Sequence, residues 1–166
     1  LGAGALNQTA LDWQNNKTNI INAIEDAKNQ NIQILCLPEL CISGYSCEDA
    51  FFSMDVFKIS CEILTEIMDV CDNIVVTVGL PIWLNSKIYN AVALIANKQL
   101  LGFVCKQHLP NDGVFYEDRW FARWPANLQQ EIQINNIKYP VGDLVFEIDG
   151  VKIAMEICQD GWVPDR

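Results

Sequence analysis

The chain has 166 residues, of which 51% are hydrophobic and 19% charged, enough apolar material for the core of one domain. Against 11 basic residues stand 21 acidic ones, and the net charge of −10 at pH 7 repels nucleic-acid phosphates and anionic membranes alike. No apolar run approaches a membrane span and the opening residues lack the basic flank and cleavage pattern of a signal peptide, so a cytoplasmic protein is expected.

Residues 3–7 read as a short first strand. Between residues 17 and 30 the apolar positions Ile20, Ile21, Ile24 and Ala27 share one helical face, and the run 32–37 follows as a strand. Ser53 is an N-cap for a second helix reaching residue 71, with Val56, Ser60, Ile63, Leu64, Ile67 and Cys71 at helical spacing. Residues 74–80 return as a strand. The runs 88–96 and 100–105 flank "NKQ" as a hairpin, and 144–148 with 151–157 form another around Asp149-Gly150, a dipeptide suited to a type I′ turn. Roughly residues 111–140 read as irregular. Short β-type runs alternating with helical periods imply an α/β layered fold.

Seven cysteines, Cys36, Cys41, Cys47, Cys61, Cys71, Cys105 and Cys158, form no Cys-x-x-Cys pair and mostly sit inside apolar runs. There a reduced thiol behaves as a small hydrophobe, so neither a disulfide framework nor a metal site is expected.

Three strands end on reactive groups: Glu39 after 32–37, Lys106 after 100–105, and Cys158 after 151–157. Sites in α/β sheets form just outside such ends. Taken singly, each has an ordinary reading, a solvated strand-end charge or one of several packing thiols. The three together carry chemistry. A thiol needs a base, a carboxylate among apolar groups is a better base than one in water, and an ammonium group can hold an oxyanion, which together suit acyl transfer.

The stretches "LPELCISGY", "KQHLPNDGVFYEDRWF" and "MEICQDGW" resemble the three catalytic blocks of the nitrilase superfamily of carbon–nitrogen hydrolases. The details are most similar to the amidase domain of the glutamine-dependent NAD+ synthetase family, as are "ALNQTALDW" and "YPVGDLVFEIDG". The resemblance implies a four-layer α-β-β-α sandwich in which Cys158 is the nucleophile, Glu39 the general base and Lys106 the oxyanion-stabilising group. It matches Glu117 to a second glutamate near Lys106 and the leaving amine, and Tyr45 to a tyrosine lining the substrate pocket. The backbone N–H of Gln159, directly after the nucleophile, would complete the oxyanion hole. His108, the one histidine, invites a Cys-His dyad, but Glu39 already fills the base role.

The implied substrate is glutamine, cleaved through a cysteine thioester without metal or organic cofactor. The resemblance further implies a homo-oligomer, and a synthetase domain of the same parent chain that uses ATP and Mg and receives the ammonia. No Ser-Gly-Gly-x-Asp-Ser type pyrophosphate loop occurs here, so residues 1–166 are expected to be the front part of a carbon–nitrogen hydrolase domain, inactive alone, with the synthetase domain absent. A stand-alone amidase on another small amide would share the same three residues.

Overall fold

Asp12 accepts a hydrogen bond from the Asn15 backbone and so caps a first helix, α1 (Trp13–Asn29), which starts four residues ahead of the expected span. Ser53 does the same for α2 (Met54–Met68), as its position in the sequence indicates. The computed structural model describes residues 1–164; Asp165 and Arg166, the last two of the expected 1–166 domain, lie outside the described residues.

Seven strands form one sheet: β1 (Gly2–Ala3), β2 (Ile34–Cys36), β3 (Val75–Leu84), β4 (Lys87–Ala96), β5 (Gln99–Cys105), β6 (Gln129–Ile134) and β7 (Ile137–Gly142), in the order β1-β2-β3-β4-β5-β7-β6. The parallel neighbours β1, β2 and β3 are linked through the two helices, whereas β3, β4 and β5 run antiparallel through tight turns. β8 (Val145–Ile148) and β9 (Val151–Ala154) make a separate two-stranded sheet.

Each hairpin turns on a pair of residues with left-handed backbone: Asn85-Ser86 (φ 51° and 62°), Asn97-Lys98 (49° and 66°), Asn135-Asn136 (49° and 65°) and Asp149-Gly150 (51° and 78°). This is the type I′ geometry that matches strand twist, and asparagine adopts it at low cost. The second and fourth are the expected hairpins.

Besides the earlier start of α1, β9 stops at Ala154, three residues short of the expected end at 157, so that Cys158 follows a short connection rather than the strand itself, and two larger differences have a visible cause. The first strand is only Gly2–Ala3, with one further backbone bond from Gly4 to the Cys36 carbonyl. Beyond it, side chains take over from the ladder. Asn16 on α1 accepts from the Thr9 N–H and donates to the Thr9 and Ile42 carbonyls, pulling residues 8–9 away from the sheet. The expected irregular stretch 111–140 contains β6 and most of β7, which pair with each other and, in parallel, with β5. Ile132 buries between polar neighbours, and the Asn135-Asn136 turn closes the pair.

Alternation along the central strands builds two faces. Val76, Val78, Leu80 and Ile82 of β3 and Ala91, Ala93 and Ile95 of β4 pack against Ile20, Ile24, Ile63, Leu64 and Ile67 of the helices. On the opposite face, Val92 and Val104 meet Leu144, Phe146, Met155 and Ile157 beside the second sheet. Helices, large sheet and second sheet are thus stacked in the α-β-β order of the expected sandwich; both α-helices of the described residues lie on the first face.

Candidate active site

Glu39 follows β2 and Pro38, where the chain crosses directly over β3 at Gly79. A side chain at Gly79 would meet backbone: its Cβ would lie against the Leu40 nitrogen, 2.6 Å from the Pro38 oxygen and 2.9 Å from the Glu39 carbonyl carbon. Only glycine permits this crossing. It is fastened by the Ile42 N–H donating to the Gly79 carbonyl at 3.1 Å.

Lys106 is the first residue past β5, its backbone N–H donating 2.9 Å to the Asn90 carbonyl of β4. Its ammonium group is fully buried and donates 2.6 Å to Glu39 Oε1 and 2.9 Å to both oxygens of Glu117. Glu117, also buried, opens a short 3-10 helix, Glu117–Arg119. That segment is pinned over residues 48–52 by the two-pronged Arg119–Asp49 pair and by Trp120 Nε1 donating to Asp49. The Tyr45 hydroxyl donates to Glu117 Oε1. Tyr45 is therefore positioned as a partner of the second glutamate.

Cys158 opens another 3-10 turn, Cys158–Trp162, with φ at 48° and its side chain exposed. A left-handed non-glycine residue is strained and is held only where its surroundings over-determine it. Here Asp160 does so. Fully buried, its carboxylate accepts from the backbone N–H groups of Ile157 (3.2 Å), Gln107 (3.1 Å) and His108 (2.8 Å), tying the Cys158 turn to the strand end that carries Lys106.

The electrostatics follow from two carboxylates sharing one ammonium. Burial pulls the Lys106 amine down, but Glu39 and Glu117 outweigh it and hold it above the usual lysine range. Desolvation raises the Glu117 carboxyl above its usual value despite the hydrogen bonds from Tyr45 and Lys106. Burial and the bond to Glu117 push the Tyr45 phenol up. Partial desolvation, then the charge of Glu39, raise the Cys158 thiol above the usual 9, while Lys106 and the Gln159 backbone N–H bonded to the sulfur oppose them. Cys158 at rest is a thiol rather than a thiolate. Cys41, Cys61 and Cys71 are pushed by burial up to about 12 and serve as packing groups.

Glu39 and Cys158 both line a cavity of about 410 Å³ between the two sheets, walled by apolar groups including Val92, Ile153 and Met155. Tyr45, Lys106 and Glu117 are outside that lining. Among the described residues no cluster of three or more His, Cys, Asp or Glu could hold a metal ion, and no helix is long and apolar enough to cross a membrane. The His108 backbone N–H reaches Asp160 of the Cys158 turn.

The structure therefore brings Glu39, Lys106, Glu117 and Tyr45 into one hydrogen-bonded group, with Cys158 and Gln159 in its field. Two residues were missed from sequence. Asp160, two positions after Cys158, and Asn90, which donates 2.6 Å to Glu39 Oε1, both contact the site. Asn90 had a signal: a lone amide inside the apolar run "IYNAVALIA", where strands disfavour asparagine.

The chain is 34% identical over 173 residues to a glutamine-dependent NAD(+) synthetase of Drosophila melanogaster, covering 98% of this chain and 22% of the relative. The crystal structure of a glutamine-dependent NAD(+) synthetase from Cytophaga hutchinsonii superposes with a TM-score of 0.93 at 47% identity, over 95% of this chain and 27% of that one. That of the Acinetobacter baumannii enzyme, in complex with ADP, gives 0.74 at 27% identity, over 96% and 28%. The chain spans about a quarter of the length of these relatives. The model of the carbon-nitrogen hydrolase family matches residues 1–166, and the chain belongs to that family.

Proposed function

We propose that this chain is the glutamine-cleaving unit of a glutamine-dependent NAD+ synthetase. The observation that carries the reading is the 2.6 Å contact of Lys106 with Glu39 beside the Cys158 thiol, in a chain whose relatives bear that name. In the cycle, the free oxygen of Glu39 takes the Cys158 proton as sulfur attacks the side-chain amide carbon of glutamine. The oxyanion forms against the Lys106 ammonium and the Gln159 N–H. The three Lys106 protons face Glu39 Oε1 and both oxygens of Glu117, so the new oxygen is held by turning one of them away from the two-pronged contact with Glu117. Collapse breaks the C–N bond. Glu39 returns its proton to the departing nitrogen near Glu117, ammonia leaves, and a thioester remains. Water, deprotonated by Glu39, then releases glutamate and restores the thiol.

The ammonia is used by a synthetase domain of the same parent chain, with ATP and Mg, to amidate nicotinic acid adenine dinucleotide in the cytoplasm. Tyr45 holds Glu117 and borders the substrate. The intact protein is a homo-oligomer, and residues 1–166 alone do not turn over glutamine.

The test feeds the intact protein glutamine labelled with 15N in its amide and follows ammonia, glutamate and label in the carboxamide of NAD+. Label transfer that is lost in Cys158→Ala is expected. Hydrolysis of another small amide with glutamine left untouched would overturn the reading in favour of a stand-alone amidase.

A further inference from the structure

Asn90 stands in the middle of β4, between Tyr89 and Ala91, completely buried. Its side-chain nitrogen donates 2.6 Å to Glu39 Oε1, the same oxygen that accepts from Lys106 at 2.6 Å. Its side-chain oxygen is buried with no partner among the described residues. The amide cannot be turned round, because its oxygen would then face a carboxylate oxygen. A buried strand position that leaves half of an amide unsatisfied is a local cost, and such costs persist where the other half is needed. Meanwhile Glu39 Oε2 accepts no hydrogen bond from the described residues.

We propose that Asn90 is a positioning residue for the base: together with Lys106 it saturates Glu39 Oε1, so that Oε2 alone is left to exchange the proton of Cys158. The two donors approach from different strands, β4 and the end of β5, and fix the plane of the carboxylate as well as its position. Asn90 also fixes Lys106 through its own backbone, since its carbonyl receives the Lys106 N–H. One strand residue thus sets the distance between base and oxyanion-stabilising ammonium. The charged and titratable groups that face Glu39 are Lys106 from β5, Glu117 and Tyr45 from the loops above, and Cys158 from beyond β9. Of the side chains described, only Lys106 and Asn90 donate to Glu39, and Asn90 is the neutral one.

The inference rests on Glu39 acting as the base of the proposed reaction, and its test separates the two. Asn90→Leu keeps the branched outline of the side chain, at a somewhat larger volume, and removes the donor. In the intact protein, kcat is expected to fall roughly 10- to 100-fold with KM little changed, a loss typical of a misplaced group. A carboxylate that loses a donor holds its proton more tightly, so the acid limb of the kcat/KM profile moves to higher pH. Tm is expected to hold or rise, because the orphaned oxygen disappears with the amide. Alkylation of Cys158 by iodoacetamide at pH 7, followed on its own peptide by mass spectrometry, slows as well. Alkylation cleaves no amide bond, so it reports on Asn90 even if glutamine proves to be the wrong substrate. If Asn90→Leu fails to fold, Asn90→Ala is measured in the same way. Unchanged alkylation and an unmoved acid limb, with activity lost only in proportion to Tm, would make Asn90 a packing residue and overturn the inference.

Discussion

Cys158 presents a thiol raised above its usual range, by partial desolvation and by Glu39, on a backbone held at φ 48°. Its reactivity therefore depends on proton transfer to a neighbour rather than on a standing thiolate. Glu39→Gln is expected to leave the fold intact, since the amide can still accept from Lys106, and to lower turnover by about 10²- to 10⁴-fold, the usual worth of a placed base. Circular dichroism alongside a glutaminase assay checks it. Retained turnover would remove Glu39 as base. Lys106→Met tests the opposite end of the site. It leaves two carboxylates facing each other without their cation, and breaking a buried pair in this way costs about 3–5 kcal/mol. The sign with pH is fixed by Glu117, whose carboxyl already sits above its usual value in the folded protein. The folded variant binds more protons than the unfolded chain, so its deficit shrinks as pH falls toward 4.5 and grows as pH rises above it. Denaturation midpoints at pH 5 and pH 8 give the comparison.

At the scale of elements, the site is made by the segments that follow β2, β5 and β9 and by two crossings that hold them in register. The first is the passage of Pro38, Glu39 and Leu40 over Gly79. Gly79→Ala forces backbone apart, with an expected loss of about 1–3 kcal/mol. The loss of turnover should exceed what instability explains, because Glu39 moves with the displaced backbone. The second is Asp160, which joins the Cys158 turn to residues 107 and 108. Asp160→Ala leaves three backbone N–H groups without their acceptor, an expected loss of at least about 2 kcal/mol in urea unfolding. Neither crossing announces itself in the sequence. Gly79 sits in "TVGLPI" as one more strand residue, and Asp160 in "CQDGW" as one more acid. The β6–β7 pair was hidden for a related reason. Its residues are mostly polar because they lie at the sheet's edge, so the alternation that reveals a strand is reduced to Ile132 and Val141.

At the scale of the whole molecule, two unlike faces of one sheet divide the work. The helix face is closed by the large apolar cluster. The other face carries the about 410 Å³ apolar cavity that ends at Glu39 and Cys158, covered only by the narrow β8–β9 sheet, whose Val145 and Val151 are exposed. Exposed apolar surface of this kind promotes association. Residues 1–166 expressed alone are therefore expected to bind a hydrophobic dye, to self-associate in size-exclusion chromatography and to show no glutaminase activity. Turnover matching that of the intact protein would show the boundary of the functional unit to be misplaced.

The sequence by itself determined the class of fold, both helices, two of the hairpins and the candidates Glu39, Lys106 and Cys158, whereas Glu117 was matched only through the family resemblance. It could do so because these rest on local rules: periodicity, caps, Asp-Gly and asparagine turns, and reactive residues placed where strands stop. Only the tertiary structure decided how Glu39 is held. Asn90 is 51 residues from Glu39, and Asp160 is 53 residues from Gln107, so neither hydrogen bond leaves a trace in local spacing. The pairing of Tyr45 with Glu117 and the crossing at Gly79 are of the same kind. Each exists because a buried donor must find an acceptor, or one backbone must pass another, at a place that the chain reaches only after the sheet has assembled.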